Sequence, residues 1–430
     1  MSAALKLLDT AIRYRDLLKS QYWEPERLQR YVSQRLDSML ASAARIPFYN
    51  SRLGGMPHSG DFAHLPILRR PDIPELSASV RGLYPPDTTF ISDASSGSTG
   101  WPCAYLFDRR HQRGRFGARA RYLRAHGWSP LKRTAWIVAT TRDKSPDEVF
   151  VRTRLLPFAN FKSTTTSVEE QTQWAVRIDP LYLHAYPSIL EGILELLERK
   201  GWALPSLRKV FTSSESLDDD LRTRVKRQLG VDIADCYGAT EACLAWECER
   251  GRNHINAEHV LIEVVDAANR PVAPGAMGRV LITTLENHLM PLVRYEIGDY
   301  ALAAAGKCEC GRRLPLIGKV AGRGMNLLRT PGGTLLSPFA LTIKLKTVAG
   351  YKQFQIVQKS IERYVLRYVA DRELPSSDQE RIQQMFCEAV GGHVQVGFER
   401  VSEIARAPSG KSMVAISELA ANETQQSDYG

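Results

Sequence analysis

The middle of the chain alternates short apolar runs with amphipathic stretches. Residues 134–139 form an apolar run that is typical of a buried strand, and residues 209–215 indicate a strand followed by a loop. Residues 189–200 and 217–229 repeat their apolar positions at helical spacing, and Gly230 follows the second repeat. This alternation of strands and helices predicts an α/β fold with parallel sheets.

Two loops of this region follow predicted strands, at residues 213–215 and 235–241. Ligands bind at the carboxyl ends of the strands in parallel α/β sheets, so both loops are predicted to face a ligand. The helix that starts near residue 189 has Ser188 as a plausible N-cap, with Glu191 at the capping-box position.

The regions on either side follow different patterns. Residues 1–53 have apolar positions at helical spacing. Residues 260–284 contain two β-rich runs separated by Pro and Gly, which predicts a small antiparallel element. Residues 353–398 combine β-rich runs with one helical stretch, as in a small α+β domain of about a hundred residues. We therefore expect two domains, residues 1–322 and residues 323–430.

The composition is that of a globular protein of two or three domains, with 430 residues, 43% hydrophobic and 24% charged. The net charge of +10 suits anionic substrates such as ATP or CoA, and it also raises nucleic acid or an anionic membrane as partners. No recognisable nucleic-acid-binding motif is present, so no nucleic acid is expected. The densest basic cluster, interpreted as a solvated helix face of residues 108–126, comprises Arg109, Arg110, Arg113, Arg115, Arg119, Arg121 and Arg124.

The sequence also indicates the compartment. No stretch is long and apolar enough to cross a bilayer, so no membrane span is expected. Residues 1–13 are typical of an amphipathic helix and not of a signal peptide. Seven unevenly spaced Cys argue against a disulfide framework. A reducing cytoplasm is therefore predicted, and the chain could form a homodimer.

Hydroxyl-bearing residues and glycines are concentrated between residues 92 and 102. The backbone N–H groups and hydroxyls of such a loop can form a concave anion site, and Gly permits close approach of a ligand. The loop lacks the spacing of a Walker A motif, and the alternative is a flexible, solvated turn. The candidate phosphate ligands are Ser95, Ser96, Gly97, Ser98, Thr99 and Gly100.

Four further motifs follow in order: Tyr237-Gly238-Ala239-Thr240-Glu241, Arg294-Tyr295-Glu296-Ile297-Gly298-Asp299, Gly322-Arg323 and Ser409-Gly410-Lys411. Together with the hydroxyl-rich loop, this series resembles the core motifs of adenylate-forming (acyl-AMP-forming) enzymes. The likeness is greatest to the phenylacetate–CoA ligase family and its capsule-biosynthesis, CapK-like branch, and it extends from about Leu28 to the C-terminus. The resemblance implies a large N-terminal domain with a small, mobile C-terminal cap.

The resemblance also implies roles for individual residues, each of which would otherwise be an ordinary turn or loop residue. Thr240 would donate to the α-phosphate, and Glu241 would hold Mg²⁺. Asp299 would accept the ribose hydroxyls, and Tyr237 would lie near the adenine. Lys411 would reach the α-phosphate as charge builds there. Further candidate nucleotide contacts in the loops and at the hinge are Ser214, Glu215, Asp235, Cys236, Gly238 and Arg323.

Two positions depart from the family pattern. Trp101 stands where many members have Lys after the second Gly of the phosphate loop, so one cationic contact is missing or supplied elsewhere. Met325-Asn326 stands where an acidic pair usually follows the hinge Arg323. Domain rotation between two half-reactions could still occur, but the sequence does not identify the hinge residue.

A second constellation indicates a metal site. Cys248, Cys308 and Cys310, with His254 or His259, offer thiolate and imidazole donors that suit tetrahedral Zn²⁺. Similar sets occur in some phenylacetate–CoA ligase-like proteins, where the metal is structural. The alternative is a group of free thiols.

The leading hypothesis is an ATP- and Mg²⁺-dependent ligase. It would activate a small-molecule carboxylic acid as its acyl-AMP and pass the acyl group to CoA. One alternative passes the acyl group to an amine, forming an amide. Another is a catalytically retired nucleotide-binding protein. The acyl pocket is expected to include Trp136, His184, Tyr186, Ser213 and Ala239.

Overall fold

The computed structural model describes residues 3–53, 59–94, 103–138, 158–323, 328–332, 335–336, 338–405 and 414–419. Contacts divide the chain into two compact units. The first comprises residues 1–217 and 225–320, and the second comprises residues 218–224 and 321–430.

Eight described helices lie before residue 230, and they include the helices that the sequence predicts within residues 1–53. They are α1 (Ala3–Ser20), α2 (Pro25–Ala43), α3 (Pro47–Leu53), α4 (Ile73–Arg81), α5 (Arg109–Ala125), α6 (Val168–Ile178), α7 (Pro187–Lys200) and α8 (Asp219–Leu229). Two short 3₁₀ helices, Ser59–His64 and Arg70–Asp72, lie before α4.

Most strands of the first unit belong to one 11-stranded sheet, and β1 (Ile91–Ala94) and β2 (Ala104–Phe107) form a separate antiparallel pair. The strands of the large sheet are β3 (Thr134–Val138), β4 (Ala159–Ser163), β5 (Tyr182–His184), β6 (Lys209–Ser213), β7 (Ile233–Gly238), β8 (Cys243–Glu247), β9 (Asn253–Ile255), β10 (Val260–Val265), β11 (Met277–Thr284), β12 (Tyr295–Ala303) and β13 (Leu316–Arg323). Their order is β10-β11-β12-β13-β9-β8-β7-β6-β5-β3-β4.

Strand pairing in this sheet changes from parallel to antiparallel after β7. Strands β4, β3, β5, β6 and β7 are parallel, as the alternating pattern predicts. Strand β8 then pairs antiparallel with β7. The β-rich runs expected between residues 260 and 284 are β10 and β11, which pair antiparallel as predicted and belong to the same 11-stranded sheet.

The start of α7 differs from the expected cap. The helix begins at Pro187 and Tyr186 is its N-cap, so Ser188 lies inside the first turn. Proline fits the first helical position because its missing N–H would have no partner there. Ser188 instead donates through its backbone N and its Oγ to Glu215, at 2.9 and 3.1 Å.

The arginines of α5 do not all lie on a solvated face. Arg121 is 1% exposed, which corrects the interpretation of the whole cluster as solvated. It pairs with the buried Glu258 at 2.7 Å and donates to Asn256 Oδ1 at 2.7 Å and to the Leu17 carbonyl at 3.0 Å. A charge can be buried in this way only because a carboxylate and further acceptors surround it.

Helix α1 is attached to the same region by polar contacts. Arg13 forms an ion pair with Glu286, which also accepts a hydrogen bond from His259 Nδ1 at 2.8 Å. Ser20 donates to the carboxylate of Glu258. A side chain at Gly114 of α5 would overlap Glu286 and His259, so glycine is required for this close approach.

The second unit contains a four-stranded sheet of order β18-β17-β16-β19. Its described elements are β14 (Leu328–Arg329), β15 (Leu335–Leu336), α9 (Phe339–Lys346), β16 (Gln353–Gln358), β17 (Arg363–Val369), α10 (Ser376–Val390), β18 (Gln395–Arg400) and β19 (Ala415–Ser417). Ile356, Tyr364, Leu366 and Phe386 are buried together in its core. This is the α+β arrangement that the β-rich runs and the helical stretch predict.

None of the helices in the described part of the chain combines the length and the apolar character that a membrane span requires.

Candidate active site

Four parallel strands, β3, β5, β6 and β7, end at one edge of the large sheet. The side chains at this edge come from distant parts of the chain, because each crossover returns the chain to the same end. Trp136, His184, Ser213 and Tyr237 lie on these strands near their carboxyl ends. The loops at residues 213–215 and 235–241 therefore meet at one edge, as the α/β pattern predicts.

Tyr237 and Asp299 form a hydrogen-bonded pair at this edge. The Tyr237 hydroxyl donates to Asp299 Oδ2 at 2.7 Å, although the two residues are 62 positions apart. Both side chains are partly exposed, and Gly298, with φ of 86°, immediately precedes Asp299. A Cβ at Gly238 would meet no atom within 4 Å, so the space beside Tyr237 is open. An aromatic ring and a carboxylate are thus held together at an open edge.

The carboxylate of Glu241 is nearly inaccessible, since the residue is 5% exposed. The Tyr105 hydroxyl hydrogen-bonds to Glu241 and also lies 2.9 Å from the Tyr295 hydroxyl. Burial, followed by the charge of Glu241, raises the pKa of Tyr105, so the phenol stays protonated and can donate. Strand β2 thereby fixes a carboxylate that belongs to the loop between β7 and β8.

His111 holds the backbone of the same loop. Its Nε2 lies 2.8 Å from the Glu241 carbonyl oxygen, which can only accept, so Nε2 carries the proton. Burial lowers the pKa of His111 well below its usual range, and the ring is neutral. It stacks between Phe107, at 5.1 Å, and His259, at 4.7 Å. Sequence reasoning identified neither His111 nor Tyr105, because Tyr105 sits within an apolar run and His111 within an arginine-rich helix.

The expected acyl-pocket residues lie along the ends of β3, β5 and β6. Trp136 stacks on His184 at 4.8 Å, and Ser213 Oγ lies 3.4 Å from His184 Nε2. Tyr186 is 7% exposed and is the N-cap of α7. Ala239 lies in the turn before Glu241, where its backbone N donates to the Ala242 carbonyl at 3.0 Å.

The remaining loop residues have structural contacts at the same edge. Asp235 Oδ1 accepts from Thr212 at 2.7 Å, and Cys236 Sγ lies 3.6 Å from the Ala245 carbonyl. Ser214 adopts a left-handed backbone with φ of 74°, which turns the chain sharply after β6. Thr240 is partly exposed, directly before Glu241.

Arg294, in the motif of residues 294–299, makes structural contacts. It is 3% exposed, pairs with Glu263 at 3.1 Å and donates to the carbonyls of Ala63 and Leu65, both at 2.7 Å. Its neighbour Tyr295 reaches Tyr105, as described above. This motif therefore anchors strand β12, from which Asp299 meets Tyr237.

The Cys/His constellation comes together in the structure. Donor atoms of Cys248, His254, Cys308 and Cys310 all lie within 4.8 Å of one another. The Sγ atoms of Cys248 and Cys308 are 3.6 Å apart, and Cys310 Sγ is 3.3 Å from His254 Nε2. His259 is engaged with Glu286 elsewhere, so His254 is the histidine of this cluster.

These spacings fit a tetrahedral zinc ion. Zn–S bonds of about 2.3 Å place two sulfur ligands about 3.8 Å apart, close to the separation of Cys248 and Cys308. His254 Nδ1 lies 3.4 Å from the Leu314 carbonyl, which orients Nε2 towards the thiols. Burial lowers the pKa of His254 to about 4, so the ring is in the neutral form that ligates metals.

Several predicted site residues lie outside the described residues. These are Ser95, Ser96, Gly97, Ser98, Thr99, Gly100, Trp101, Met325, Asn326 and Lys411. The backbone of Arg323 is described and ends strand β13.

Two family models match different parts of the chain. The model of the AMP-binding enzyme matches residues 160–290, which contain β5 to β7 and the loop with Glu241. The model of the CapK C-terminal domain matches residues 328–418, in the second unit. These matches support an adenylate-forming superfamily for this chain. Within this superfamily, the second match and the curated relatives support the phenylacetate–CoA ligase-like, CapK-like branch.

Curated relatives of this chain include two phenylacetate-coenzyme A ligases. The protein from Thermus thermophilus is 25% identical over 319 residues, which are 70% of this chain and 72% of the relative. The protein from Escherichia coli is 26% identical over 321 residues, with the same coverage of both chains.

Solved structures support the fold independently. A 2-hydroxyisobutyryl-CoA ligase, in its postadenylation state with 2-HIB-AMP, matches with a TM-score of 0.74 and 20% identity, covering 96% of both chains. The anthranilate CoA ligase AuaEII with anthranoyl-AMP matches with a TM-score of 0.57 and 17% identity, covering 77% of this chain and 66% of that one.

Proposed function

We propose that this protein is an AMP-forming acid–thiol ligase, which activates a carboxylic acid with ATP and transfers the acyl group to CoA. The observation that carries this proposal is the grouping of Tyr237, Asp299 and Glu241 at the carboxyl edge of the sheet. A nucleotide site needs an aromatic ring that contacts the base, a carboxylate that binds the ribose hydroxyls and a buried carboxylate that binds a cation. The CoA acceptor is supported by the phenylacetate-coenzyme A ligases among the relatives.

Two bond exchanges make up the reaction. First, a carboxylate oxygen of the acid attacks the α-phosphorus of ATP, the bond to the β-phosphate breaks, and pyrophosphate leaves. Second, the CoA sulfur attacks the acyl carbon, the thiol proton is released, and AMP leaves with the electrons of the acyl–oxygen bond. Catalysis of the first step rests mainly on alignment and charge neutralisation.

The residues of this chain would share these tasks. Asp299 would bind the ribose hydroxyls while accepting from Tyr237, and Thr240 would donate to the α-phosphate. The loop of residues 95–100 would hold the β- and γ-phosphates, and Lys411 would stabilise the transition state. His111 and Tyr105 would keep Glu241 in place. The other nucleotide contacts expected from the sequence are Ser214, Glu215, Asp235, Cys236, Gly238 and Arg323.

Glu241 is the residue that would hold Mg²⁺, a hard cation that prefers carboxylate and phosphate oxygens. When bound, Mg²⁺ would neutralise charge on the triphosphate. The side chain fits this role because it follows β7 at the carboxyl edge of the sheet and the Tyr105 hydroxyl fixes its carboxylate.

The group Cys248, His254, Cys308 and Cys310 would bind a structural Zn²⁺. Closed four-ligand sets of this kind contribute directly to folding. Cys248 follows β8 and Cys308 and Cys310 follow β12, so the ion would fasten two segments that are distant in the sequence.

We expect the purified protein to contain about one zinc per chain. Cys310→Ser should lower the zinc content and the melting temperature, because three ligands hold the ion less tightly than four. Cys387→Ser, which changes a half-buried thiol of the second unit, is the matched control. Elemental analysis that finds no zinc in protein never exposed to chelator would contradict this assignment.

A panel of carboxylic acids tests the ligase activity itself. Pyrophosphate release should depend on ATP, Mg²⁺ and a suitable acid, and adding CoA should yield an acyl-CoA thioester and AMP. Mass spectrometry identifies the thioester. Pyrophosphate release without any thioester in the presence of CoA would exclude the thiol acceptor.

The amine acceptor and the retired nucleotide-binding protein are not favoured by the relatives, which are ligases.

We also propose a reducing cytoplasm as the compartment, because all seven cysteines are free. A homodimer stays a prediction for light scattering to test.

A further inference from the structure

Arg119 of α5 lies over the expected acyl pocket. Its guanidinium is 5.0 Å from the ring centroid of Trp136, and Nη2 lies 3.1 Å from His184 Nε2. Burial and the Arg119 charge lower the pKa of His184 well below its usual range, so Nε2 is unprotonated and accepts. Two contacts with uncharged rings therefore fix the orientation of a cation at the carboxyl edge of β3 and β5.

No carboxylate of the described residues forms an ion pair with Arg119. The acidic groups nearby have other donors: Asp235 accepts from Thr212, and Glu215 accepts from Ser188. Arg119 is also exposed, in contrast to Arg121 in the same helix. Its guanidinium has five N–H groups, so most of its donors remain for a ligand.

Two buried donors in the same stack also lack a partner among the described residues. Within that part of the chain, Trp136 Nε1 has no hydrogen-bond partner, and neither does His184 Nδ1, which carries the proton of the neutral ring. These residues are 6% and 1% exposed. Buried N–H groups normally find an acceptor. Arg119, Trp136 and His184 thus form a group rich in donors and without an acidic residue.

Helix α5 fixes where this group lies relative to the reaction. Arg115, one turn earlier, reaches the Ala239 carbonyl at 3.5 Å and lies near the charges of Asp93 and Glu241. Four residues of helix separate Arg115 from Arg119, an axial distance of about 6 Å. Arg115 is therefore beside the nucleotide loops, and Arg119 is one turn further along, beside the part of the pocket that would receive the tail of the acid.

We propose that the acid activated by this protein carries a second carboxylate, which Arg119 binds about one helical turn from the carboxylate that is activated. This inference rests on the proposed ligase function. A planar guanidinium can bind a carboxylate through two parallel hydrogen bonds. Trp136 and His184 would add a flat surface and donors beside it. The substrate class is therefore a dicarboxylic acid, activated at one end only.

Matched pairs of acids test this inference. Pyrophosphate release is measured with glutarate against pentanoate, and with 4-carboxyphenylacetate against phenylacetate. The wild-type protein should use at least one dicarboxylate about tenfold to a hundredfold better than its monocarboxylate partner, the range expected for a hydrogen bond to a charged group. The advantage should appear mainly in KM, because Arg119 does not contact the reacting atoms.

Variants of Arg119 test whether this residue binds the second carboxylate. Arg119→Met should raise KM for the dicarboxylate about tenfold to a hundredfold and leave KM for the monocarboxylate unchanged. Arg119→Lys should be intermediate, because it keeps the charge and loses the planar fork. Arg124→Met is the matched control, since Arg124 is an exposed arginine of the same helix.

The outcomes separate this inference from the ligase function. Pyrophosphate release with monocarboxylates only would leave the ligase function standing and overturn the dicarboxylate substrate. An equal loss with both acids of each pair in Arg119→Met would show a structural role for Arg119 and would also overturn the inference. No pyrophosphate release with any acid would refute the ligase function, and the inference with it.

Discussion

Replacing Lys411 by Ala should lower the rate of acyl-AMP formation by on the order of a hundredfold to a thousandfold, with little change in ATP affinity. The reason is that the ammonium group would act on charge that develops on the α-phosphate in the transition state. An interaction made only in the transition state lowers kcat without raising KM when it is removed. Pyrophosphate exchange measures the rate, and ATP titration measures the affinity.

The same Lys411 variant should still convert supplied acyl-AMP and CoA to the thioester. If the C-terminal domain is a mobile cap, it presents a different face in the second half-reaction. Lys352→Ala is a suitable control, because Lys352 is an exposed lysine of the second unit whose ion pair with Asp371 contributes little. Equal loss of both half-reactions, or adenylation at the wild-type rate, would contradict the role of Lys411.

Glu241→Gln should abolish adenylation, with a loss on the order of a thousandfold. The amide keeps the shape of the carboxylate and can still accept from Tyr105, so the fold should be intact. The negative charge is lost, and with it the affinity for Mg²⁺. Pyrophosphate exchange at increasing Mg²⁺ concentration measures this effect, and circular dichroism with thermal melting checks the fold.

Glu170→Gln is the matched control for this variant. Glu170 is an exposed glutamate in α6 of the same unit, so its replacement should not alter pyrophosphate exchange. Near-normal exchange in Glu241→Gln, together with an unchanged response to Mg²⁺, would remove the metal-binding assignment from Glu241.

The sequence predicted the parts of the fold that depend on local patterns. Apolar runs near residues 134 and 209 become β3 and β6, and the shared edge of the loops at residues 213–215 and 235–241 follows from the parallel order of the strands. Helix α10 and the strands beside it also agree with local periodicity. The cap of α7 was wrong by two residues, because Pro187 determines where the helix starts and Ser188 is used by Glu215.

The contacts that hold the site residues in place could not be predicted from local patterns. His111 and Glu241 are 130 positions apart, and Tyr105 and Tyr295 are 190 positions apart. Such contacts depend on how helix α5 and strands β2 and β12 pack, and periodicity contains no information about that packing. Arg121 shows the same limit, since its burial follows from Glu258 and α1 and not from its neighbours in the helix.

The contacts of α1 have a practical consequence for protein engineering. Arg13 and Ser20 supply donors to Glu286 and Glu258, and the Leu17 carbonyl accepts from Arg121. A shortened version that starts at Trp23 would strip these partners from two interior carboxylates and from a buried guanidinium. The helix therefore cannot be trimmed as a dispensable leader, and a fusion partner is better joined ahead of it than substituted for it.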